Sequence, residues 1–417
     1  MNTVKNLGWR VTFAGLGINL ALGILYAWSI FKDAIAGSIA AGGPGAFQWN
    51  PASLNDPYAV ATLVFSLSMI LAGIIQDKKG PAVTALIGGV LVAAGFILIS
   101  FTTSYAVWLL GFGVLAGTGI GFGYSASTPP ALKWFPKAKS GLIAGLVVAG
   151  FGLASLYIAP LATFLLGRMA IQQVLLVFGL AFLVIVSALS FFLKNPPADF
   201  HPENGGKTAP GTTAPANRNQ EEFTPREMVR TPAFYLLWIL YFIGAGAGLM
   251  VIGSVAGLAK KSMGDLAFLA VAIMAIGNAG GRVAAGILSD KIGRIATLVS
   301  LLLFQSILMF AAIPLTKGHN AVLLVLLATF IGFNYGSNLA VFPSFAKSFY
   351  GMKNFGVNYG IIFTAWGVGG FVMSRLSQTL SAATGSYTTA FTIAGILLIA
   401  AALLSLVLKK IQPHHHN

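Results

Sequence analysis

The sequence predicts an all-α membrane protein: twelve transmembrane helices arranged as two six-helix repeats. Three observations carry this. Apolar runs of about 20 residues recur along the whole chain, the length that crosses a hydrocarbon core of about 30 Å. Hydrophobic residues make up 57% and charged residues only 8% of the 417 residues, against roughly 25% charged in a soluble domain. One polar stretch divides the runs into two sets of six, and each set carries the same short motif after its second run.

The spans are read at 11–31, 57–75, 82–102, 105–131, 141–166, 172–193, 234–258, 264–288, 295–314, 320–345, 356–380 and 386–408. A β-barrel would instead alternate polar and apolar residues over about 10-residue strands. The 50 glycines suit close helix packing in a membrane. There is no cysteine, so disulfides and thiolate chemistry are excluded. The first run is long enough to span and lacks a small-residue cleavage site, so it reads as the first helix and not as a signal.

The polar stretch from Lys194 to Arg230 is rich in Pro, Gly, Thr, Asn and Glu, which reads as a flexible linker. The expected organisation is an N-terminal six-helix bundle (1–193), a cytoplasmic linker (194–233) and a C-terminal six-helix bundle (234–417). The segment His414–Asn417 resembles a purification tag and is left out of the functional reading.

A net charge of +15 would be compatible with nucleic acid, but here the positive residues follow topology. Eighteen Lys and Arg fall on the side of the two termini and the even-to-odd loops, and five on the other. The positive-inside rule then puts both termini in the cytoplasm. No nucleic-acid partner is expected; the bilayer is. The two remaining positives, Arg282 and Arg375, lie inside spans.

The halves repeat. Gly73-Ile-Ile-Gln-Asp77-Lys-Lys-Gly80 returns as Gly286-Ile-Leu-Ser-Asp290-Lys-Ile-Gly293-Arg294, 213 residues on. The role expected of this cytoplasmic loop is structural. Its glycines allow a tight turn and close packing, and its Asp can pair with helix ends or basic side chains. Parallel repeats of this kind are a transporter design, with substrate held near the midplane between them.

Arg282 lies eight residues before Asp290, roughly 12 Å from the helix end, where an arginine costs about 2.5–3.5 kcal/mol to insert. Its planar fork matches a carboxylate. It either binds an anion or pairs with a neighbouring helix. Arg375 sits near the outer end of its span, where snorkelling is easy. Asn278 precedes Arg282 by four residues and shares its helix face. Other spans supply polar or aromatic residues that line a site or pack: Asn19 and Tyr26, Tyr124, the group Asn334, Tyr335 and Asn338, and Tyr359 with Trp366. Tyr124 offers a phenol that can donate to a carboxylate. Asparagines in spans are also interhelical glue.

The doubled loop motif resembles the signature of the major facilitator superfamily, with the second copy complete and Pro81 in place of the closing basic residue in the first. Arg230-Thr-Pro-Ala-Phe-Tyr235-Leu-Leu-Trp238, Lys133-Trp-Phe-Pro136, Gly141-Leu-Ile-Ala-Gly145 and Asn358-Tyr-Gly360 with Thr364-Ala-Trp366-Gly-Val-Gly-Gly370 narrow this. Together they resemble the monocarboxylate transporter family and its bacterial relatives, the oxalate/formate antiporters. The resemblance implies the major facilitator fold, a bacterial plasma (inner) membrane location and Arg282 as the carboxylate ligand. It also implies that Tyr26, Tyr124 and Tyr335 stand where family aromatics line the site, and that Phe151 replaces a family tyrosine. Trp366 stands where the oxalate exchangers have lysine, which disfavours a dianion. Asn278 stands where animal monocarboxylate transporters have a titratable aspartate.

The expected function is therefore secondary active transport of a small monocarboxylate, lactate- or pyruvate-like, by alternating access with a proton as co-substrate. The alternative is a monocarboxylate/dicarboxylate exchanger of the oxalate/formate type. The expected substrate-binding residues are Arg282, Asn278, Tyr124, Tyr335, Tyr26, Trp366, Asn338 and Phe151. All ten acids lie outside the deep membrane, so the proton has no evident carrier. A proton could ride on the substrate carboxyl, or the anion alone could neutralise Arg282 during exchange. No nucleophile–base pair or metal cluster falls in the spans, so an enzyme is not expected, nor is a cofactor or metal. A monomer is expected to suffice. A sensor that binds the anion without moving it is the remaining alternative.

Overall fold

The computed structural model describes residues 6–50, 53–197, 200, 202, 222–264, 267–316, 318 and 320–411. Among them there is no strand. Twelve helices are long and apolar enough to cross a membrane: Gly8–Ala41, Asp56–Lys79, Pro81–Ile99, Tyr105–Lys133, Ser140–Leu166, Ile171–Ser190, Pro232–Ile252, Leu269–Ile292, Arg294–Leu315, Ala321–Tyr350, Phe355–Ser381 and Thr388–Lys409. They are numbered below as the first to twelfth spans.

Each predicted span corresponds to one of these helices, but several helices run well past the apolar stretch that announces them. The first span was expected at 11–31 and extends to Ala41, interrupted by a tight 3₁₀ segment at Gly23–Ala27. The segment packs closely on the fifth span. A Cβ at Gly23 would collide with the Ala154 side chain and come within 2.6 Å of the Phe151 carbonyl oxygen. The eighth span was expected to end at 288 and continues to Ile292. The second and eighth spans stop at Gly80 and Gly293, with φ of +87° and +88°. These are the closing glycines of the two loop motifs, in a region that L side chains rarely enter.

The helix pairings of the first six spans recur in the last six. The second packs on the fourth as the eighth does on the tenth, the third on the sixth as the ninth on the twelfth, and the first on the fifth as the seventh on the eleventh. Between the halves, the fifth span lies along the eighth and the eleventh along the second. Both crossings are close because glycines face backbone. Gly141 and Gly145 abut the backbone of Gly286 and Arg282, and Gly356 and Gly360 abut that of Gly73 and Met69. The glycines of the fifth and eleventh spans match at an offset of 215, and their partners at 213.

Large apolar side chains such as Leu71, Val184, Ile307, Val322 and Leu403 remain exposed on the outside. A helix bundle in lipid has no reason to hide them.

Most of the linker expected at 194–233, residues 203–221 included, lies outside the described residues, as does His414–Asn417. The described ends of the linker are held. Phe200 packs edge-on against Trp134, whose indole donates to the Lys194 carbonyl oxygen (2.8 Å). The Phe223 amide donates to the Tyr350 carbonyl (3.1 Å), and the Phe223 carbonyl accepts from Asn354 and Asn358. At both ends of the linker, aromatic side chains find contacts that composition does not reveal.

Candidate functional site: a buried arginine among aromatics between the halves

Arg282 is fully buried on the eighth span, and the helix around it is clamped by close approaches on two sides. On one side are Gly145 and Gly152 of the fifth span. A Cβ at Gly152 would lie 3.1 Å from Asn278 Oδ1 and 3.3 Å from Arg282 Nε. On the other side Gly336 of the tenth span abuts the Asn278 backbone. The guanidinium therefore has little freedom. Its Nε donates to Asn278 Oδ1 (2.9 Å), Nη1 donates to the Val148 carbonyl oxygen of the fifth span, and Nη2 reaches Tyr26 Oη at 3.4 Å.

Tyr26 rides on the 3₁₀ segment of the first span and carries the contact onward. Its hydroxyl lies 2.7 Å from that of Tyr335, which also accepts from Trp366 Nε1 at 2.8 Å. A chain of polar atoms thus runs Arg282–Tyr26–Tyr335–Trp366 and ties the first span to the eighth, tenth and eleventh. Phe151 meets Tyr26 and Tyr124 edge-on, with ring centroids 5.2 and 5.5 Å away. Phe65 closes the wall against Tyr124, Phe151, Phe363 and Trp366.

Of the eight residues singled out in the sequence, the structure brings seven together: Arg282, Asn278, Tyr26, Tyr124, Tyr335, Trp366 and Phe151. Asn338 stands apart. Its amide donates to the Asn334 carbonyl (3.0 Å) and approaches Gln305 Oε1 (3.5 Å), against Gly244 of the seventh span. It joins the seventh, ninth and tenth spans, the interhelical role open to an asparagine in lipid. Its neighbour Asn334 likewise donates to the Leu301 carbonyl. Arg375 is exposed near the outer end of its span. Sequence reasoning missed the Val148 carbonyl, which as a backbone group leaves no trace in residue type. It also missed Phe65 and Phe363, although the repeat offsets pointed to them, since 213 carries Phe65 to Asn278 and 215 carries Val148 to Phe363.

The arrangement holds a buried cation whose ionisable neighbours among the described residues include the phenols of Tyr26, Tyr124, Tyr335 and Tyr359. A cation taken out of water without a carboxylate partner is costly. Aromatic walls, a few donors and one planar fork suit a small organic anion.

At the face carrying both loop motifs, the halves are fastened to each other. Asp290 accepts the amides of Gly141 (3.0 Å) and Leu142 (3.1 Å) at the start of the fifth span. Asp77 accepts that of Val357 (3.2 Å) at the start of the eleventh. Each acid thus caps a helix of the opposite half, where free amides and the helix dipole favour negative charge. Lys347 donates to Ser140 Oγ (2.7 Å) beside them.

Twelve spans, a twofold internal repeat and a buried polar site between the halves define a membrane transporter. The model of the Major Facilitator Superfamily matches residues 35–374 and 269–417, and the chain belongs to that family. It is 26% identical over 397 residues to the oxalate:formate antiporter of Oxalobacter formigenes, covering 94% of this chain and 88% of that one. It is 27% identical over 404 residues to monocarboxylate transporter 13 of Rattus norvegicus, covering 94% and 87%. The fold is similar to that of the human organic anion transporter MFSD10 (TETRAN), with a TM-score of 0.67 at 15% identity, covering 95% of this chain and 99% of that one. The protein is a multi-pass membrane transporter, not an enzyme.

Proposed function

We propose that the protein moves a small organic monocarboxylate, lactate- or pyruvate-like, by alternating access of its two six-helix halves, with a proton as co-substrate. The observation that carries this reading is Arg282: buried between the halves, facing phenols and aromatic walls, and, among the described residues, without a second cation beside it. By the resemblance to the oxalate exchangers, Trp366 stands where they carry a lysine, which favours one carboxylate over two. The relatives support the chemistry, since one is named for oxalate and formate and another for monocarboxylates.

In this reading Arg282 takes the carboxylate in a forked pair, Asn278 holds the guanidinium in plane, and the phenol rings of Tyr26, Tyr124 and Tyr335 line the pocket. Phe151 and Trp366 form the apolar wall. The motif face is cytoplasmic by its basic loops, in the plasma membrane of a bacterium, and the Asp77 and Asp290 caps seal it in this conformation. A monomer suffices, because the site is complete within one chain.

A second reading, anion exchange without a proton, has its own observation. Asn278 cannot titrate, and the ionisable groups that act on Arg282 among the described residues are phenols. Purified protein in liposomes separates the readings. Labelled pyruvate uptake driven by an inward proton gradient, with no internal anion, is the expected result. Uptake that needs internal anion and ignores the gradient establishes exchange. No uptake above empty vesicles removes the carrier reading.

A further inference from the structure

Three buried tyrosine hydroxyls near the Arg282 site are paired only loosely within the fold. Tyr124, Tyr241 and Tyr359 come from the fourth, seventh and eleventh spans, and each is at least 96% buried. The Tyr359 hydroxyl approaches those of Tyr124 and Tyr241, and Tyr124 and Tyr359 lie within electrostatic range of Arg282. None forms a hydrogen bond of proper geometry. The rings are fixed by packing. Phe363 contacts all three, and Tyr241 stacks on Phe342 at 4.0 Å.

Phenylalanine would pack in these positions without leaving a polar atom unpaired. A buried hydroxyl without a well-formed hydrogen bond destabilises a fold, and such groups in a native protein call for an explanation, an exchangeable partner in the site among them. Their location supplies one. Tyr359 lies about 6 Å and Tyr241 about 14 Å into their helices from the motif face, and Arg282 about 15 Å in. The Tyr26–Tyr335–Trp366 chain satisfies its own hydroxyls beside Arg282, whereas the three orphans sit together.

We infer that Tyr241 and Tyr359, with Tyr124, form a second polar subsite that takes an uncharged oxygen of the substrate, a hydroxyl or keto group close to its carboxylate. This rests on the monocarboxylate reading and narrows it: the substrate is an oxygen-bearing short acid, not a plain fatty acid. Phenols offer neutral donors and acceptors, so they match a neutral oxygen and not a second carboxylate. A site built to hydrogen-bond an oxygen discriminates against the analogue that lacks it, because its own polar groups stay unpaired.

The test uses acids of equal carbon number as competitors of labelled pyruvate uptake in proteoliposomes. Lactate and pyruvate carry an oxygen on the second carbon; propionate does not. In the wild type, propionate should need about tenfold more concentration for half-inhibition, the worth of one neutral hydrogen bond to a buried group. Tyr241→Phe and Tyr359→Phe should each narrow that gap toward parity while the propionate value holds. A second readout guards against misfolding. Without ligand, both variants should melt at or above the wild-type temperature, and the extra stabilisation by pyruvate over propionate should shrink. No gap in the wild type, or an undiminished gap in both variants, overturns the subsite while leaving the monocarboxylate reading intact. If no monocarboxylate is taken up or competes, that reading fails and the subsite with it.

Discussion

The two crossings between the halves share one backbone plan but differ in chemistry. Where the fifth span lies on the eighth, Gly141 and Gly145 meet Gly286 and Arg282; where the eleventh lies on the second, Gly356 and Gly360 meet Gly73 and Met69. The repeat thus pairs Arg282 with Met69, Asn278 with Phe65, Phe151 with Trp366, and Val148 with Phe363. One crossing carries a buried cation and its amide partner, and the other carries a thioether and a phenyl ring. The comparison teaches that glycine-to-backbone contact builds the scaffold twice, while the polar site is written into one copy.

The largest effect should come from making the two crossings alike. Arg282→Met places the residue of the second crossing in the first, in a space already closed by Gly145. Monocarboxylate uptake should fall by roughly 100-fold or more, the scale for deleting one partner of a buried charge-assisted pair, while the protein remains folded by its melting profile.

Next come the shared glycines. Gly145→Val and Gly360→Val both drive a side chain against backbone, at the Arg282 and Met69 carbonyls respectively. Overpacking costs about 1–3 kcal/mol, so both should lower the melting temperature and slow uptake. Gly145→Val should do more harm, because its contact is the tighter and lies beside the cation. Equal transport defects would mean that the asymmetry of the site does not matter to the crossing.

Asn278→Ala should be milder. It removes one hydrogen bond to a charged group, about 1.5–3 kcal/mol, and should raise the half-saturation concentration by roughly tenfold or more, whereas Phe65→Ala, its mate, should leave anion affinity closer to wild type. Smallest is the seal at the motif face. Asp290 accepts two amides in good geometry and Asp77 one, each worth about 0.3–1 kcal/mol at a helix start. Because the chain has no cysteine, an introduced Ala144→Cys thiol reports opening at this face. Its labelling should quicken by a few-fold with Asp290→Asn and by less with Asp77→Asn.

Much of this was legible in the sequence. Apolar runs and the repeated Gly-x-x-x-Asp motif sufficed for twelve spans and the family, because lipid imposes length and hydropathy on each helix. Arg282 was conspicuous as a deep cation, and Tyr26, Tyr124, Phe151, Tyr335 and Trp366 came through the family resemblance. What was not legible depends on where side chains point. Asn338 looks like a site residue in a row of residues, but its amide turns to Gln305 and the Asn334 carbonyl. Tyr241 was not singled out in the sequence, but its hydroxyl lies near those of Tyr124 and Tyr359. The Val148 carbonyl that holds the guanidinium has no sequence signature. Helix ends were also short in the reading, since polar turns such as Leu288–Ile292 continue a helix beyond the apolar core.

The most direct test of the central claim is binding itself. Purified wild-type protein and Arg282→Met are titrated with pyruvate and with its uncharged amide, and the shift in melting temperature is recorded. The account predicts that pyruvate stabilises the wild type in a saturable way, that the amide does not, and that neither stabilises Arg282→Met. A shift by pyruvate that is the same in Arg282→Met as in the wild type would contradict it.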